Sequence, residues 1–200
     1  IVLHGAWTAD SSRTLWFRRH LESINIPTLT IDFSGHGKST HYTPLSIEKR
    51  ISEASDALEF LDSHDNISIC AFSMSGEVSL KIANQFSVKN LFLFAPWIYD
   101  QEVLSLEFWE LFSEKIRKHE SWKNHSHDVH LKDYSGNIVL FTPEYDEVIP
   151  EWVNEIIMNL APNSQKKRII IPWAPHMLGK WMNEHPERIH EIGKNISQYF

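Results

Sequence analysis

The chain alternates between short apolar segments, rich in β-branched and aromatic residues, and longer segments whose apolar residues recur every three or four positions. The short segments are typical of strands covered on both faces, and the longer ones of amphipathic helices. The predicted strands are IVLH (1–4), PTLTIDF (27–33), ISICAF (67–72), NLFLFAP (90–96), NIVLFTP (137–143) and RIIIP (168–172). This alternation predicts an α/β fold: a mostly parallel sheet of about six strands, with helices on both faces.

Each predicted helix has a stripe of apolar residues on one face. The stripes are Ile47, Ile51, Ala54, Leu58 and Leu61; Val78, Ile82 and Phe86; Val153, Ile156, Ile157 and Leu160; and Ile189, Ile192, Ile196 and Tyr199. A further stripe, Val103, Leu106, Leu111 and Phe112 with Trp109, predicts one more helix that covers the sheet. Ligands of such sheets bind beyond the carboxyl ends of the strands, so functional residues are expected just after each strand.

Composition narrows the class of protein. The 200 residues, 42% hydrophobic and 22% charged, predict one globular domain over residues 1–200. A net charge of −7 argues against a nucleic-acid partner, and no apolar segment is long enough to span a bilayer. Cys70 is the only cysteine, which rules out an internal disulfide and favours a reducing compartment, so we expect a cytoplasmic protein. The short sheet and the many tryptophans are compatible with a monomer or a homodimer.

The stretch AFSMSG (71–76) lies between a predicted strand and a predicted helix. A nucleophile elbow is a tight strand-to-helix turn, usually G-x-S-x-G, because the residues two before and two after the serine crowd each other. With Ser73 at the centre, those positions hold the small residues Ala71 and Ser75. Gly76 follows, where the new helix must pass close to the sheet. The pattern therefore predicts Ser73 as a nucleophile.

Other interpretations of this serine are weaker but remain open. Centring the motif on Ser75 puts Glu77 at a crowded position, and centring it on Ser34 puts Asp32 and His36 there. The remaining alternative is a serine that only caps the helix after the strand, a position that helices favour.

A nucleophilic serine needs a base within hydrogen-bond reach and a carboxylate that orients the base. Asp146 follows the predicted strand NIVLFTP, and His176 follows RIIIP. The order Ser73, Asp146, His176 is the order expected of a strand-to-helix elbow in this architecture. Glu144 and Glu147 compete with Asp146 for the acidic role, and we expect both to be solvated loop charges.

The segment HGAWT (4–8) follows the first predicted strand, where a loop must supply a backbone N–H to a tetrahedral intermediate. Gly5 permits a close backbone approach, so the expected donor is the N–H of Ala6, with Trp7 as the alternative. The second expected donor is the N–H of Met74, at the positive end of the following helix. His4 belongs to the end of the strand and is interpreted as structural.

Taken together, these segments resemble the α/β-hydrolase superfamily, and most closely its esterase, lipase and serine-aminopeptidase-like branch. The matching pieces are LHGAW, DFSGHGKS (32–39), AFSMSG, YDEVIP and WAPHM, which span almost the whole chain. The resemblance implies a carboxylesterase-like serine hydrolase that forms an acyl-enzyme and needs neither a cofactor nor a metal. It implies Ser73 as nucleophile, Asp146 as acid, His176 as base, and Ala6 and Met74 as oxyanion donors. The expected partner is a small or medium acyl substrate.

The sequence departs from the family pattern at three places. Ala71 and Ser75 replace the elbow glycines, the family's usual first two strands are expected to be absent, and residues 97–136 leave room for a small helical lid at most. Asp32 and His36, in the glycine-rich turn, are interpreted as structural residues that border the pocket at most.

Two further groups of residues are candidates for binding. Trp7, Trp97 and Trp173 stand near predicted strand ends and could line an acyl pocket. His125, His127 and His130 beside Asp128 have the spacing of possible zinc or nickel ligands. Their segment is polar and shows no supporting residues around the ligands, so we favour a solvated loop and expect no metal site.

Two functional hypotheses follow from the sequence. The first is a serine hydrolase acting on an ester, thioester or amide. The second is a catalytically silent α/β-hydrolase fold used as a binding module, which the lost elbow glycines favour. The retained serine, acid and histidine in the expected order favour the enzyme.

Overall fold

The computed structural model describes residues 1–39, 45–61, 65–118 and 120–200. Within them, five parallel strands form one sheet in the order β1-β2-β3-β4-β5. The strands are β1 (Val2–Leu3), β2 (Ser68–Phe72), β3 (Asn90–Phe94), β4 (Asn137–Tyr145) and β5 (Gln165–Pro175). The helices of these residues are α1 (Leu15–Ser23), α2 (Ile47–Glu59), α3 (Ser75–Ile82), α4 (Glu110–Ile116), α5 (His127–His130), α6 (Glu151–Asn159), α7 (Leu178–Glu184) and α8 (Pro186–Ser197). The predicted parallel sheet flanked by helices is confirmed.

The predicted strand 27–33 joins the sheet at a single point. Thr30 makes an isolated parallel bridge to Val2, and its hydroxyl donates to the Val2 carbonyl at 2.9 Å. The ladder does not continue, because the amide of Phe33 donates to the ring of His4 rather than to a backbone carbonyl. The segment therefore lies beside β1 as an edge of the sheet and is not itself a strand.

The connections sort the helices into two layers. From β1 the chain crosses through α1 to the bridge at Thr30, then returns through α2 to β2 on the other side of β1. Because parallel crossovers are right-handed, this reversal puts α1 and α2 on opposite faces. In agreement, α1 contacts α7 and α8, whereas α2 contacts α3. No helix of the described residues is both long and apolar enough to cross a membrane.

The prediction of one sheet-covering helix after β3 is wrong. The connection 95–136 instead contains a 3-10 turn at Gln101–Val103 and the short helices α4 and α5; residue 119 lies outside the described part. Of the predicted stripe, Val103 and Phe112 are buried, but Trp109 and Leu111 are more than half exposed. The stripe fails because these residues belong to separate short elements and do not share one face.

Two rows of side chains fix the register of the sheet. At the amino ends, the Asn137 amide donates to Asn90, and the Asn90 amide donates to Ser68. Towards the carboxyl ends, three cross-strand phenylalanine rings stack with centroids 4.5 Å apart: Phe72 on Phe94 and Phe94 on Phe141. If one strand shifted by one residue along its neighbour, the side-chain amides would be buried without partners and the aromatic rings would no longer stack. Both rows therefore stabilise the observed register of β2, β3 and β4.

We predict that Phe94→Ala lowers the free energy of unfolding by about 3–5 kcal/mol, because it leaves a cavity between two stacked rings in a fully buried layer. Phe60→Ala is the matched control: this ring is 86% exposed, so its removal should change stability by about 0.5 kcal/mol or less. Urea denaturation of the three proteins measures both values. Equal losses for the two variants would contradict the aromatic row as the centre of the core.

Candidate active site

The three residues predicted to carry the chemistry each come directly after the last residue of a strand. Ser73 follows β2, Asp146 follows β4 and His176 follows β5. By register, Phe72 lies level with Phe141 and Ile169, so β4 and β5 extend several residues beyond the end of β2. This longer part of the sheet carries Asp146 and His176 to a position over Ser73.

The structure brings these three side chains into one hydrogen-bonded row. Ser73 Oγ lies 3.0 Å from His176 Nε2, and His176 Nδ1 lies 3.0 Å from both carboxylate oxygens of Asp146. An ionised carboxylate only accepts hydrogen bonds, so Nδ1 carries the imidazole proton and the lone pair of Nε2 faces the serine hydroxyl. The side chains of His176 and Asp146 are 9% and 7% exposed, which shields this row from bulk water.

Ser73 has the strained backbone of an elbow. Its φ is +49°, in the left-handed region that residues other than glycine seldom adopt. Three backbone hydrogen bonds hold it there: Ser73 N–H donates to Phe94, and the Ser73 carbonyl accepts from Gly76 and Trp97. The turn therefore points the hydroxyl away from the sheet, toward His176.

The elbow forms although the two usual glycines are absent. Ala71 is fully buried in β2, and the hydroxyl of Ser75 donates to the carbonyl of His4, which ties the start of α3 to the end of β1. The predicted close approach falls at Gly76. A Cβ there would lie 2.5 Å from the Cβ of Pro96, so glycine is required at this position.

The competing acids are engaged elsewhere or exposed. The carboxylate of Glu144 accepts the backbone N–H of Trp173 at 2.8 Å, and Glu147 is exposed. Asp146, in contrast, accepts the amides of Val148 and Ile149 at 2.9 and 2.8 Å while it faces His176. Those two amides orient the carboxylate before any ligand binds.

The loop after β1 approaches the elbow closely. A Cβ on Gly5 would lie 3.5 Å from the Cβ of Ser73, so the Gly5–Ala6 peptide is adjacent to the serine. Met74 is the residue that precedes α3. Among the described residues, the amides of Ala6 and Met74 donate no hydrogen bond within the protein. Both predicted oxyanion donors are thus available to a ligand.

A buried polar network behind this loop was missed by the sequence analysis. Arg50 Nη1 donates to the Gly5 carbonyl at 3.0 Å, and its Nη2 donates to His36 Nε2 at 2.7 Å. His4 Nδ1–H donates to the same Gly5 carbonyl, because its Nε2 accepts the Phe33 amide. The available signal was the position of Arg50, three residues after Ile47 and four before Ala54, on the buried face of α2.

A cleft of about 690 Å³ lies above the serine. Its lining contains Ser73, His176 and the predicted oxyanion loop, and of the three predicted pocket tryptophans it contains Trp7 and Trp97. Trp173 does not line the cleft. It has φ +64° where the register of β4 and β5 shifts, and this irregularity leaves the ring 64% exposed, with its edge toward Tyr145.

Solved structures of other proteins share this fold. An esterase from Exiguobacterium antarcticum superposes with a TM-score of 0.73 at 13% identity, over 98% of this chain and 91% of that one. A thermophilic esterase from Thermogutta terrifontis, determined with malate bound, gives 0.72 at 16% identity, over 99% and 89%. An alpha-beta serine hydrolase homologue from Coxiella burnetii gives 0.66 at 19%, over 94% and 81%. The chain has the α/β-hydrolase fold. No protein-family model matches the sequence, and no curated protein sequence matches it.

Within this α/β-hydrolase fold, the histidine-rich segment packs against the elbow helix. His127 is fully buried, and its Nε2 lies 2.8 Å from a carboxylate oxygen of Glu77 on α3. His125 Nδ1 accepts the backbone amide of His127. The described residues contain no group of three or more histidine, cysteine, aspartate or glutamate side chains arranged to hold a metal ion. Contrary to the expectation of a solvated loop, His127 joins α5 to α3 in the core.

Buried His4, at the end of β1, predicts a loss of stability in acid. Burial, and then the charge of Arg50, lower the pKa of His4 from 6.5 to about 4. The native state therefore binds fewer protons at His4 than the unfolded state between those values. The stabilisation is complete above pH 6.5 and is lost as the pH falls through this window, by about 3 kcal/mol.

Between pH 6.5 and pH 4, the free energy of unfolding should fall less in His4→Gln than in the wild type. We expect the two decreases to differ by about 2–3 kcal/mol. His185→Gln is the control, because it makes the same substitution at a side chain that is 42% exposed. Urea denaturation at several pH values provides the comparison. Parallel curves for the wild type and His4→Gln would show that His4 does not cause the acid sensitivity.

Proposed function

We propose that this protein is a serine hydrolase that cleaves carboxylic esters through an acyl-enzyme on Ser73. The observation that carries the proposal is the 3.0 Å approach of His176 Nε2 to the Ser73 hydroxyl, with Asp146 on the opposite ring nitrogen. The esterases among the similar structures support the same reaction class. Thioesters and amides use the same chemistry and are the nearest alternative substrates.

In the proposed mechanism, Ser73 Oγ attacks the carbonyl carbon of the ester while His176 Nε2 takes the hydroxyl proton. The Ala6 and Met74 amides donate to the oxyanion of the tetrahedral intermediate, and Asp146 holds the imidazole in the required tautomer. The intermediate collapses as His176 passes its proton to the leaving alcohol. Water then attacks the acyl-enzyme with His176 again as base, which releases the acid and restores the serine.

The cleft favours a substrate of small to medium size. Its volume of about 690 Å³ suits one such ligand, and aromatic side chains such as Trp97, Trp122 and Trp152 form much of its lining. We propose that residues 97–136 act as a small lid, since Ile116 and Trp122 of this segment face the cleft. The expected substrate is therefore an ester with a short or medium acyl group.

The mouth of the cleft is basic in an otherwise acidic protein. The lining contains Arg13, Arg117, Lys118 and Lys180, against one acidic residue, Glu120, while the whole chain carries −7. Lys118 is paired with Glu114 at 3.2 Å; the other three cations form no ion pair with described residues. Such a mouth attracts an anionic substrate, so we propose esters that carry a carboxylate or similar group.

The alternative function is a silent binding module, which the replacement of both elbow glycines favours. The two functions differ in whether Ser73 reacts. A module without catalysis would bind a ligand in the same cleft but would neither turn over an ester nor react with a fluorophosphonate.

Ser73→Ala should lower kcat for p-nitrophenyl esters by about 10⁴-fold or more and abolish labelling by an active-site fluorophosphonate, because the attacking oxygen is gone. Ser87→Ala is the matched control: Ser87 has the same φ of +49° but is exposed and lies outside the cleft. It should retain wild-type activity and labelling. A wild type that neither reacts with the probe nor hydrolyses any ester would favour the binding module.

A p-nitrophenyl ester of a dicarboxylic acid should have a kcat/KM about 10-fold above that of its neutral isostere at low ionic strength, because the basic mouth raises its local concentration. The advantage should shrink as sodium chloride increases from 20 to 500 mM. Arg117→Glu should reverse it, whereas Lys167→Glu, an exposed cation near the amino end of β5, should not. A preference for the neutral ester at low salt would contradict the anionic substrate class.

A further inference from the structure

Arg50 is a buried cation that lies directly behind the proposed oxyanion loop. It belongs to α2 and is 2% exposed. Its guanidinium donates to the Gly5 carbonyl and to His36, and lies over the rings of Phe33 and Phe108, 4.7 and 5.4 Å from their centroids. Neither hydrogen-bond acceptor carries a negative charge.

Arg50 forms no ion pair with the residues that the structure describes, although the more distant charge of Glu53 partly offsets the effect of burial on its pKa. Within the described residues no carboxylate lies within ion-pair distance of it. Burial lowers its pKa to about 10, so it still carries its charge at neutral pH. Burying a charge that lacks an ion-pair partner is costly, and two aromatic faces with two neutral acceptors recover only part of that cost. A cation retained here under those conditions points to an electrostatic role.

The acceptor of this cation is one half of the peptide unit whose other half is the proposed oxyanion donor. The Gly5 carbonyl and the Ala6 N–H belong to the same planar peptide, so fixing the oxygen also fixes the direction of the N–H. The carbonyl accepts two hydrogen bonds, from Arg50 and from His4 Nδ1. Donors on the oxygen polarise the peptide and make its N–H a stronger donor in turn.

We propose that Arg50 is a positioning residue for the oxyanion hole: it aims and polarises the Ala6 N–H through the Gly5 carbonyl, and its charge stabilises the developing oxyanion. The interaction strengthens as negative charge grows on the substrate oxygen, so it acts on the transition state more than on substrate binding. The inference rests on the proposed serine-hydrolase function. A purely structural Arg50 would instead only tie α2 to the loop after β1.

The test compares Arg50→Met, which removes the charge and both donors, with Lys49→Met. Lys49 is the adjacent cation on the same helix; its side chain is 40% exposed and faces Glu53 at 3.8 Å. We expect Arg50→Met to lower kcat about 10- to 100-fold with KM changed less than about threefold, somewhat less than removing an oxyanion donor outright. Lys49→Met should match the wild type.

Binding of a boronic acid gives a second readout, since its adduct with the serine is tetrahedral and anionic like the intermediate. Its affinity should fall in proportion to kcat in Arg50→Met, while the Kd of an unreactive substrate analogue stays unchanged. Kinetic constants are normalised to the fraction of molecules that a fluorophosphonate labels, which removes any contribution from unfolded protein.

Chemical rescue provides a third readout. A cavity of about 170 Å³ adjoins Arg50, Ala6 and His36, so Arg50→Ala leaves room for a small cation. Millimolar guanidinium should restore part of the kcat of Arg50→Ala and leave the wild type unaffected. If Arg50→Met does not fold, Arg50→Lys is the test variant, since it keeps the charge but cannot donate to both the Gly5 carbonyl and His36. Its kcat should fall while its KM stays unchanged.

Unchanged kcat per labelled molecule in the Arg50 variants, or equal losses for substrate-analogue and boronate binding, would overturn the positioning role. That result differs from a failure of the proposed function, in which the wild type itself would show neither ester turnover nor labelling.

Discussion

The lateral pairing of parallel strands is the constraint on which the rest of this structure depends. It gathers the ends of β1, β2, β4 and β5 at one edge, although the residues that follow them are far apart in the chain. The pairing alone does not complete the site. At about 3.3 Å per residue, Asp146 stands roughly 16 Å beyond the level of Phe72 along a flat sheet. Strand twist and the irregularity between β4 and β5 bring that longer part back over Ser73.

The site concentrates strain and places its support in the surrounding core. The positive φ of Ser73 is unfavourable, and it persists because Phe94 of β3, Gly76 of α3 and Trp97 in the loop after β3 hold the turn by three backbone hydrogen bonds. The phenylalanine row lies directly below, with Phe72 immediately before the serine. Gly76 lets α3 start against Pro96, and the hydroxyl of Ser75 bonds the end of β1. The packed core thus holds the hydroxyl of Ser73 within hydrogen-bond distance of His176.

Two sets of positive charges lie at the cleft of this acidic protein. Arg50 lies buried behind the loop after β1, and four further cations line the cleft. The two sets differ in physical consequence. Exposed cations act at long range and are screened by salt, whereas a buried cation acts at short range in a medium of low polarisability. Under the proposed function, the first set would affect which molecules reach the cleft, and the second would affect the energy of the charge that forms during the reaction.

Periodicity was sufficient for the elements whose surroundings are uniform. Strands β2, β3 and β4, and the stripes of α2, α3, α6 and α8, follow from patterns that depend only on which residues are buried. Strand β5 was predicted to be covered on both faces, but most of its residues are exposed or half-buried, with Ile170 58% exposed. Periodicity failed where neighbouring parts of the chain decide. The segment 27–33 does not form a strand, because the amide of Phe33 donates its hydrogen bond to the ring of His4. The predicted helix after β3 is replaced by separate short elements. The role of Arg50, a charged residue on an apolar stripe, cannot be inferred until the structure shows that Gly5 lies against it.

The sequence by itself determined the order of the candidate site residues along the chain. They are a glycine in the first loop, a serine between two small residues after one strand, and an acid and a histidine after two later strands. These features are local, because a strand end or a tight turn is determined by residues that are neighbours in the sequence. Tertiary structure alone decided which acid faces the histidine, that Trp173 turns outward, and that a buried arginine lies behind the loop after β1. Each of these depends on contacts between residues dozens of positions apart, whose distances are fixed only when the sheet twists and packs.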